Sequence, residues 1–333
     1  VQYAAENEIP LHARGAGTGL AGESLGPGLV VDFSHSMRRI LETGQQTVRI
    51  QPGVVCAQLN RHLARFGRMY GPDPAAAKVS TMGGVLAVDG SGSHYPRYGS
   101  ARDTVVSMQV VLADGTVMEA GQHPVGTAST NDNREQQLIN ELGGLIQREK
   151  SVIQRRYPKV PVNRSGYQLR EVLDDGQLDL TRVLCGSEGT LALITEATVR
   201  TVPTPNRTGL VLLFFDRLES AARGALEVSN HGVSACELMD RRLLMIARES
   251  NVNYDLLLPA QAEAMLLVEV EGETQDEVRE RLQTIVVRLQ RRKRLAFDSK
   301  MALEDEEIEL FWSLAKRVVP GLYRLKGSSR PLP

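Results

Sequence analysis

Close to the start of the chain, alternating small residues form the run Arg14-Gly15-Ala16-Gly17-Thr18-Gly19-Leu20, which comes after the strand-like Ile9-Pro10-Leu11-His12-Ala13. Alternating glycines let successive backbone N–H groups turn toward one point, the arrangement that cradles an anion. Two common phosphate-binding loops do not match. A dinucleotide fingerprint needs a third glycine where Leu20 stands, and then a helix. Here Ala21-Gly22-Glu23-Ser24-Leu25-Gly26-Pro27-Gly28 comes next, which does not sustain one. No Gly-Lys-Ser/Thr closes the run, so it is not a Walker loop. Taken alone, a plain glycine turn and an anion-binding nest fit it equally well.

Other small-residue segments share the same half of the chain. Tyr70-Gly71-Pro72-Asp73-Pro74 precedes Ser80-Thr81-Met82-Gly83-Gly84, and Ala87-Val88-Asp89-Gly90-Ser91-Gly92 comes next. Gly186-Ser187-Glu188-Gly189-Thr190-Leu191 runs into the strand-like Ala192-Leu193-Ile194-Thr195-Glu196. Such a set in one domain points to a large flat ligand approached closely by backbone, where a Cβ would collide.

The 333 residues suggest two domains and an ample core. With 39 basic and 40 acidic residues, the net charge of −1 supplies no bulk attraction to nucleic acid or anionic membranes. The basic run Arg288–Arg294 and the acidic run Glu304–Glu307 read as solvated helix ends. The longest wholly apolar run, Leu210 to Phe215, is far short of the roughly 20 residues that span a bilayer. Val1 to Pro10 does not read as a secretory signal. Cys56, Cys185 and Cys236 are far apart and form no C-x-x-C, which argues for buried free thiols in a reducing compartment. No histidine pair has metal-ligand spacing, so no metal site is expected within the chain. Both ends read as cut, and the expectation is an interior piece of a longer protein.

The two-proline connector Val202-Pro203-Thr204-Pro205-Asn206 is the candidate domain boundary. Before it, Thr47–Gln51 alternates as a half-buried strand, and Ser107–Ala113 leads through Asp114-Gly115 into Thr116-Val117-Met118 as a hairpin. Helical patterns cover 55–66 and 136–156. Beyond it, the pattern predicts strand 210–215, helix 217–230, helix 236–249, strand 265–271, helix 274–293, strand 295–299 and helix 303–317. The expected fold class is α+β, with a first domain over 1–202 and a split βαβ domain over 203–333.

In this order the motifs resemble the PCMH-type (vanillyl-alcohol-oxidase-type) FAD flavoproteins, in the glycolate oxidase, D-lactate dehydrogenase and D-2-hydroxyglutarate dehydrogenase branch. The resemblance implies a two-lobed FAD-binding domain, lacking its first elements, followed by an incomplete ferredoxin-like cap. It implies that Arg14, Gly15, Ala16, Gly17, Thr18, Gly19 and Leu20 wrap the FAD pyrophosphate. Pro72, Asp73, Ser80, Thr81, Gly83 and Gly84 would line the flavin, and Gly90 and Ser91 would belong to the cofactor site. The elements Tyr98, Gly99, Arg102, Asp103 and Gly186, Glu188, Gly189, Thr190, Ile194 complete the cofactor set. Members with covalent flavin carry His where Thr18 stands, so FAD is expected to be dissociable.

The resemblance implies oxidation of a 2-hydroxy acid, with C2 hydride passing to flavin N5. The carboxylate of such a substrate is best held by Arg. Arg164 and Tyr167, in Val162-Asn163-Arg164-Ser165-Gly166-Tyr167, are candidates, as are Arg324 and Lys326; a plain connecting loop fits Arg164 and Tyr167 equally well. Ala315 stands where many relatives place a substrate-linked Arg. The family's histidine-bearing motifs are missing, so the catalytic base is unassigned and is expected beyond Pro333. Among the histidines, His94 lies beside the predicted flavin loop. Tyr323–Pro331 is similar to the version fused to an iron–sulfur domain; any cluster or divalent metal would be held beyond this chain. The electron acceptor would be that domain, a quinone or an electron-transfer protein, in the cytoplasm or at the membrane through a partner. The alternatives are a flavin-binding electron relay without its own substrate site, or another enzyme of the same flavin fold.

Overall fold

A computed structural model describes residues 1–19, 21–126, 134–160, 162–250 and 252–322. The chain forms two compact units. One comprises Val1–Gly92 and Gly99–Pro203; the other comprises Ser93–Tyr98 and the chain from Thr204 onward.

In the first unit, strands β1 (Leu11–Arg14) and β2 (Leu29–Asp32) form a short parallel pair that carries the glycine run at its end. The unit's main sheet is five-stranded and antiparallel. It is built from β3 (Ile40–Thr43), β4 (Thr47–Ile50), β5 (Val105–Val111), β6 (Val117–Ala120) and β7 (Leu193–Arg200) in the order β3-β4-β7-β5-β6. The Asp114-Gly115 turn joins β5 to β6 as expected, with Gly115 at φ +86° and Leu112 N–H bonded to Thr116 O. The buried side chains of the sheet, Val48, Ile50, Met108, Val110, Ala197 and Val199, pack with Leu59 and Leu63 of helix α1 (Cys56–Leu63). Met82 and Leu86 of helix α2 (Met82–Ala87) join the same core. A long amphipathic helix, α3 (Arg134–Arg156), buries Ile139 and Ile146.

The second unit is a four-stranded antiparallel sheet of β8 (Arg207–Phe215), β9 (Ala235–Asp240), β10 (Ala264–Gly272) and β11 (Asp298–Ala302), ordered β9-β10-β8-β11. Its two central strands are apolar on both faces, as strands covered on both sides must be. Val211, Leu213 and Phe215 face helices α4 (Leu218–Ser229) and α7 (Gln275–Val286). Leu210, Leu212 and Phe214 face α5 (Arg241–Ser250), α6 (Val252–Leu257) and α8 (Asp305–Leu322). This is the ferredoxin-like arrangement, and the fold class is α+β.

Two expectations for this unit need correction. Residues 235–240 are not the start of a helix: Ala235-Cys236-Glu237-Leu238-Met239-Asp240 is strand β9, paired with β10 from Ala235↔Glu269 to Asp240↔Ala264. Its residue types favour helix, but the open edge of β10 offers a full ladder, and that pairing overrides local propensity. The last strand lies at 298–302 rather than 295–299. Helix α7 runs on through a π-helical turn over Val287–Arg292, with Lys293 N–H bonded to Arg288 O at 2.9 Å, and so shifts the start of β11 further along the chain.

Candidate functional site

The glycine run starts where β1 ends. Gly17 has φ +66°, and a Cβ there would sit 2.7 Å from an Arg14 guanidinium nitrogen. Gly15 meets Thr81 so closely that a Cβ would lie 2.1 Å from its Oγ1. Thr18 and Ser80 hydroxyls are 3.0 Å apart. The loop at 14–19 and the segment at 80–84 are therefore one assembly, although more than sixty residues separate Thr18 from Ser80 in sequence. Among the described residues, the N–H groups from Gly15 to Gly19 donate to no backbone carbonyl. A run of donors on small residues, exposed from Ala16 to Gly19, suits an anionic group that backbone can approach.

A buried knot fixes the segments around helix α2. Asp89, 4% exposed and at φ +52°, accepts the Arg102 N–H at 2.9 Å. Its carboxylate stands 3.8 Å from Arg102 Nε. Arg102 also donates to Cys185 O at 2.8 Å. The Gly186 and Glu188 N–H groups donate to Leu86 O and Ala87 O, which ties the 186–190 loop to the end of α2. Burial, with Asp89 nearby, holds the Cys185 thiol far above its ordinary range. Asp103 caps its own short turn through the Ser100 N–H at 2.8 Å and acts there as a structural acceptor.

The remaining sequence candidates fall into place unevenly. Tyr167 and Thr190 hydroxyls are 2.7 Å apart, and Thr190 donates to Ser187 O at 2.6 Å. Arg164 is half-buried on the loop leading to Tyr167. Pro72 is buried beside half-buried Asp73, whose carbonyl oxygen would lie 2.0 Å from a Cβ on Gly92. Gly83 and Gly84 lie in the first turn of α2, Gly90 and Ser91 follow its C-terminal end, and Ile194 lies in β7 opposite Val110. Leu20, Arg324 and Lys326 lie outside the described residues. Tyr98 belongs to the second unit, where its hydroxyl donates to Glu271 Oε1 at 2.7 Å; burial first, and Glu271 second, push its phenol well above the ordinary value.

That unit holds a polar cluster that motif matching did not anticipate. Glu269, on the central strand β10, is only 4% exposed. Its Oε1 takes His94 Nε2 at 2.8 Å and the Ser234 hydroxyl at 2.8 Å, and its Oε2 accepts the Trp312 indole N–H at 2.8 Å. Glu271, two residues on and therefore on the same face, holds Tyr98 and stands 3.7 Å from Arg97 Nε. A glutamate inside the otherwise apolar Ala264–Val270 was the available signal, since buried acids persist only when hydrogen-bonded. Among the described residues, no group of three or more His, Cys, Asp or Glu is placed to hold a metal ion.

Comparison with known proteins agrees with this layout. Residues 1–121 match the family described as the FAD binding domain, and residues 204–333 match the C-terminal domain of FAD linked oxidases. D-2-hydroxyglutarate dehydrogenase of Pantoea ananatis (strain AJ13355) is 30% identical over 347 residues, covering 99% of this chain and 34% of that protein. The glycolate oxidase subunit GlcD of Bacillus subtilis (strain 168) is 28% identical over 329 residues, covering 96% of this chain and 58% of the relative. The chain thus spans about a third of the first relative and somewhat more than half of the second. A solved alkyldihydroxyacetonephosphate synthase structure shares the fold, with a TM-score of 0.62 at 17% identity over 97% of this chain and 52% of the other.

Proposed function

We propose that this chain, which belongs to the PCMH-type FAD flavoproteins, is the flavin-binding and cap portion of an enzyme that oxidises a 2-hydroxy acid. One observation carries the reading: the glycine run and the Ser80–Thr81 segment meet through Thr18–Ser80 at 3.0 Å and Gly15–Thr81. They form a cradle in which Gly15, Gly17 and Gly19 present backbone at alternate positions. The relatives named above, a D-2-hydroxyglutarate dehydrogenase and a glycolate oxidase subunit, narrow the substrate class.

In this reading Arg14 to Gly19 hold the pyrophosphate through backbone N–H groups. Ser80, Thr81 and the glycines around α2 admit the flat ring system, and the Asp89–Arg102 knot keeps those segments in place. Bound FAD supplies the hydride acceptor for C2. The chain's own tasks are to hold the substrate carboxylate, for which Arg164 and Tyr167 are the candidates in the first unit, and to exclude water. The reading assigns the proton-accepting role to none of the described residues. Thr18 offers no imidazole for a covalent link, so FAD is held without a bond to this loop.

Visible absorption of the purified protein before and after acid precipitation tests the cofactor. A flavin spectrum that passes to the supernatant is expected. A folded, colourless chain that takes up no added FAD would sink the reading. For the full-length protein, reduction of the flavin band by D-2-hydroxyglutarate, D-lactate or glycolate separates the substrates, and bleaching by none of them would remove the 2-hydroxy acid assignment.

A further inference from the structure

Helix α7 ends in an unusual way. Its last turn widens to a π-helical turn over Val287–Arg292, and Arg294 just beyond it sits at φ +52°, a conformation that side-chain-bearing residues adopt sparingly. Five cations, Arg288, Arg291, Arg292, Lys293 and Arg294, are carried in this stretch. Glu227 of α4 takes two of them: Arg288 at 2.6 and 2.9 Å, and Lys293 at 2.7 Å. Those two suffice to pin the helix end and to answer its dipole.

Three arginines remain beyond that need. Arg291, Arg292 and Arg294 are exposed, and among the described residues they form no ion pair. Arg223, also exposed, stands one turn before Glu227 on α4. Two large apolar side chains lie close to these groups in sequence, Leu226 beside Glu227 and Phe297 three residues after Arg294. Leu226, three residues after Arg223 and so on the same stripe of α4, is 71% exposed, and Phe297 is 39% exposed. Arginines that form no ion pair among the described residues, with an exposed phenylalanine and leucine close by in sequence, match the composition of a protein-binding surface.

We propose that this face, made of Arg223, Arg291, Arg292 and Arg294 around Leu226 and Phe297, docks an acidic protein surface. Carboxylates of that partner would pair with the guanidinium forks, and an apolar side chain would cover Leu226 and Phe297. Nucleic acid is disfavoured because the chain as a whole is slightly acidic, with a pI of 6.7, where a nucleic-acid-binding domain is strongly basic. The inference stands apart from the flavin reading and uses none of its residues.

The test measures fluorescence anisotropy of a labelled amphipathic peptide of glutamate and leucine titrated with the purified chain. Binding is expected, weakened about tenfold in R291E/R292E. It should be unchanged in R61E/R65E, which makes the same charge change on exposed arginines of the first unit. F297A should weaken it severalfold without altering its salt dependence. Equal peptide binding by R291E/R292E, or an equal loss in R61E/R65E, overturns the proposal. So does tighter binding, at the same salt, of a short DNA duplex or of phosphatidylserine vesicles than of the peptide.

Discussion

The Trp312 indole N–H donates to Glu269 Oε2 at 2.8 Å, on a carboxylate whose other oxygen already holds His94 and Ser234. Three donors thus satisfy one acid buried in the middle of a sheet. Removing a single donor should cost less than removing the acceptor they share. W312F is expected to lose about 1.5–3 kcal/mol, the value of a hydrogen bond to a charged group. E269L, which strands three donors, is expected to lose about 3–5 kcal/mol. Urea unfolding followed by circular dichroism compares them, and equal losses would contradict the shared-acceptor picture. Trp312 is the sole tryptophan, so wild-type fluorescence reports unfolding of the second unit alone.

Gly17 combines φ +66° with an Arg14 guanidinium nitrogen 2.7 Å from the place of a Cβ. G17V should therefore lose bound FAD while most of the fold survives, because the run is a surface loop at the end of β1. Flavin absorbance per chain after desalting is the measurement. A G17V protein with wild-type circular dichroism and full flavin content would remove this loop from the cofactor site.

Asp89 ties a strained backbone to a buried cation. D89A leaves Arg102, whose side chain is 10% exposed, without its carboxylate, and should lose about 3–4 kcal/mol. D89N keeps an acceptor for the Arg102 N–H and tolerates φ +52°, so it should lose less than half as much. Thermal unfolding of the two variants ranks them. The reverse order would mean that backbone strain, not the pairing, dominates at this position.

Some of this was legible in the residues and some was not, for physical reasons. Asp114-Gly115 between β-rich runs, and the amphipathic spacing of Arg134–Arg156, are local signals, and local signals survive folding. Strand β9 was not readable, because Ala, Glu, Leu and Met say helix while the free edge of β10 says strand. The glycine segments were readable as a set, but only the folded chain brings Gly15 against Thr81. His94 and Glu269 stand 175 residues apart, and no spacing rule joins them. A lone glutamate in an apolar strand announces that partners exist without naming them.

The three thiols should be slow to react in the folded protein. Burial pushes Cys236 to about 11 and Cys56 to about 12, and Cys185 is raised as well. At about pH 8 a disulfide reagent should find little thiolate before the chain unfolds, and all three cysteines after it. Fast labelling of one cysteine in the native state would show that its segment opens readily.

Glu227 gives a dependence on pH with a definite sign. Lys293 first, and then Arg288, hold its carboxyl below the ordinary value of 4.5. A group whose folded value is depressed stabilises the fold above its unfolded value, and that contribution is lost as pH falls through the folded one. Wild-type melting temperature should therefore exceed that of E227Q at about pH 6, and the gap should close as pH drops below about 4.5 toward the lowered value. Because the pair is partly solvated, raising the salt concentration should shrink the gap at about pH 6 as well. A gap that stays constant down to about pH 3 would mean that Glu227 acts by packing rather than by charge.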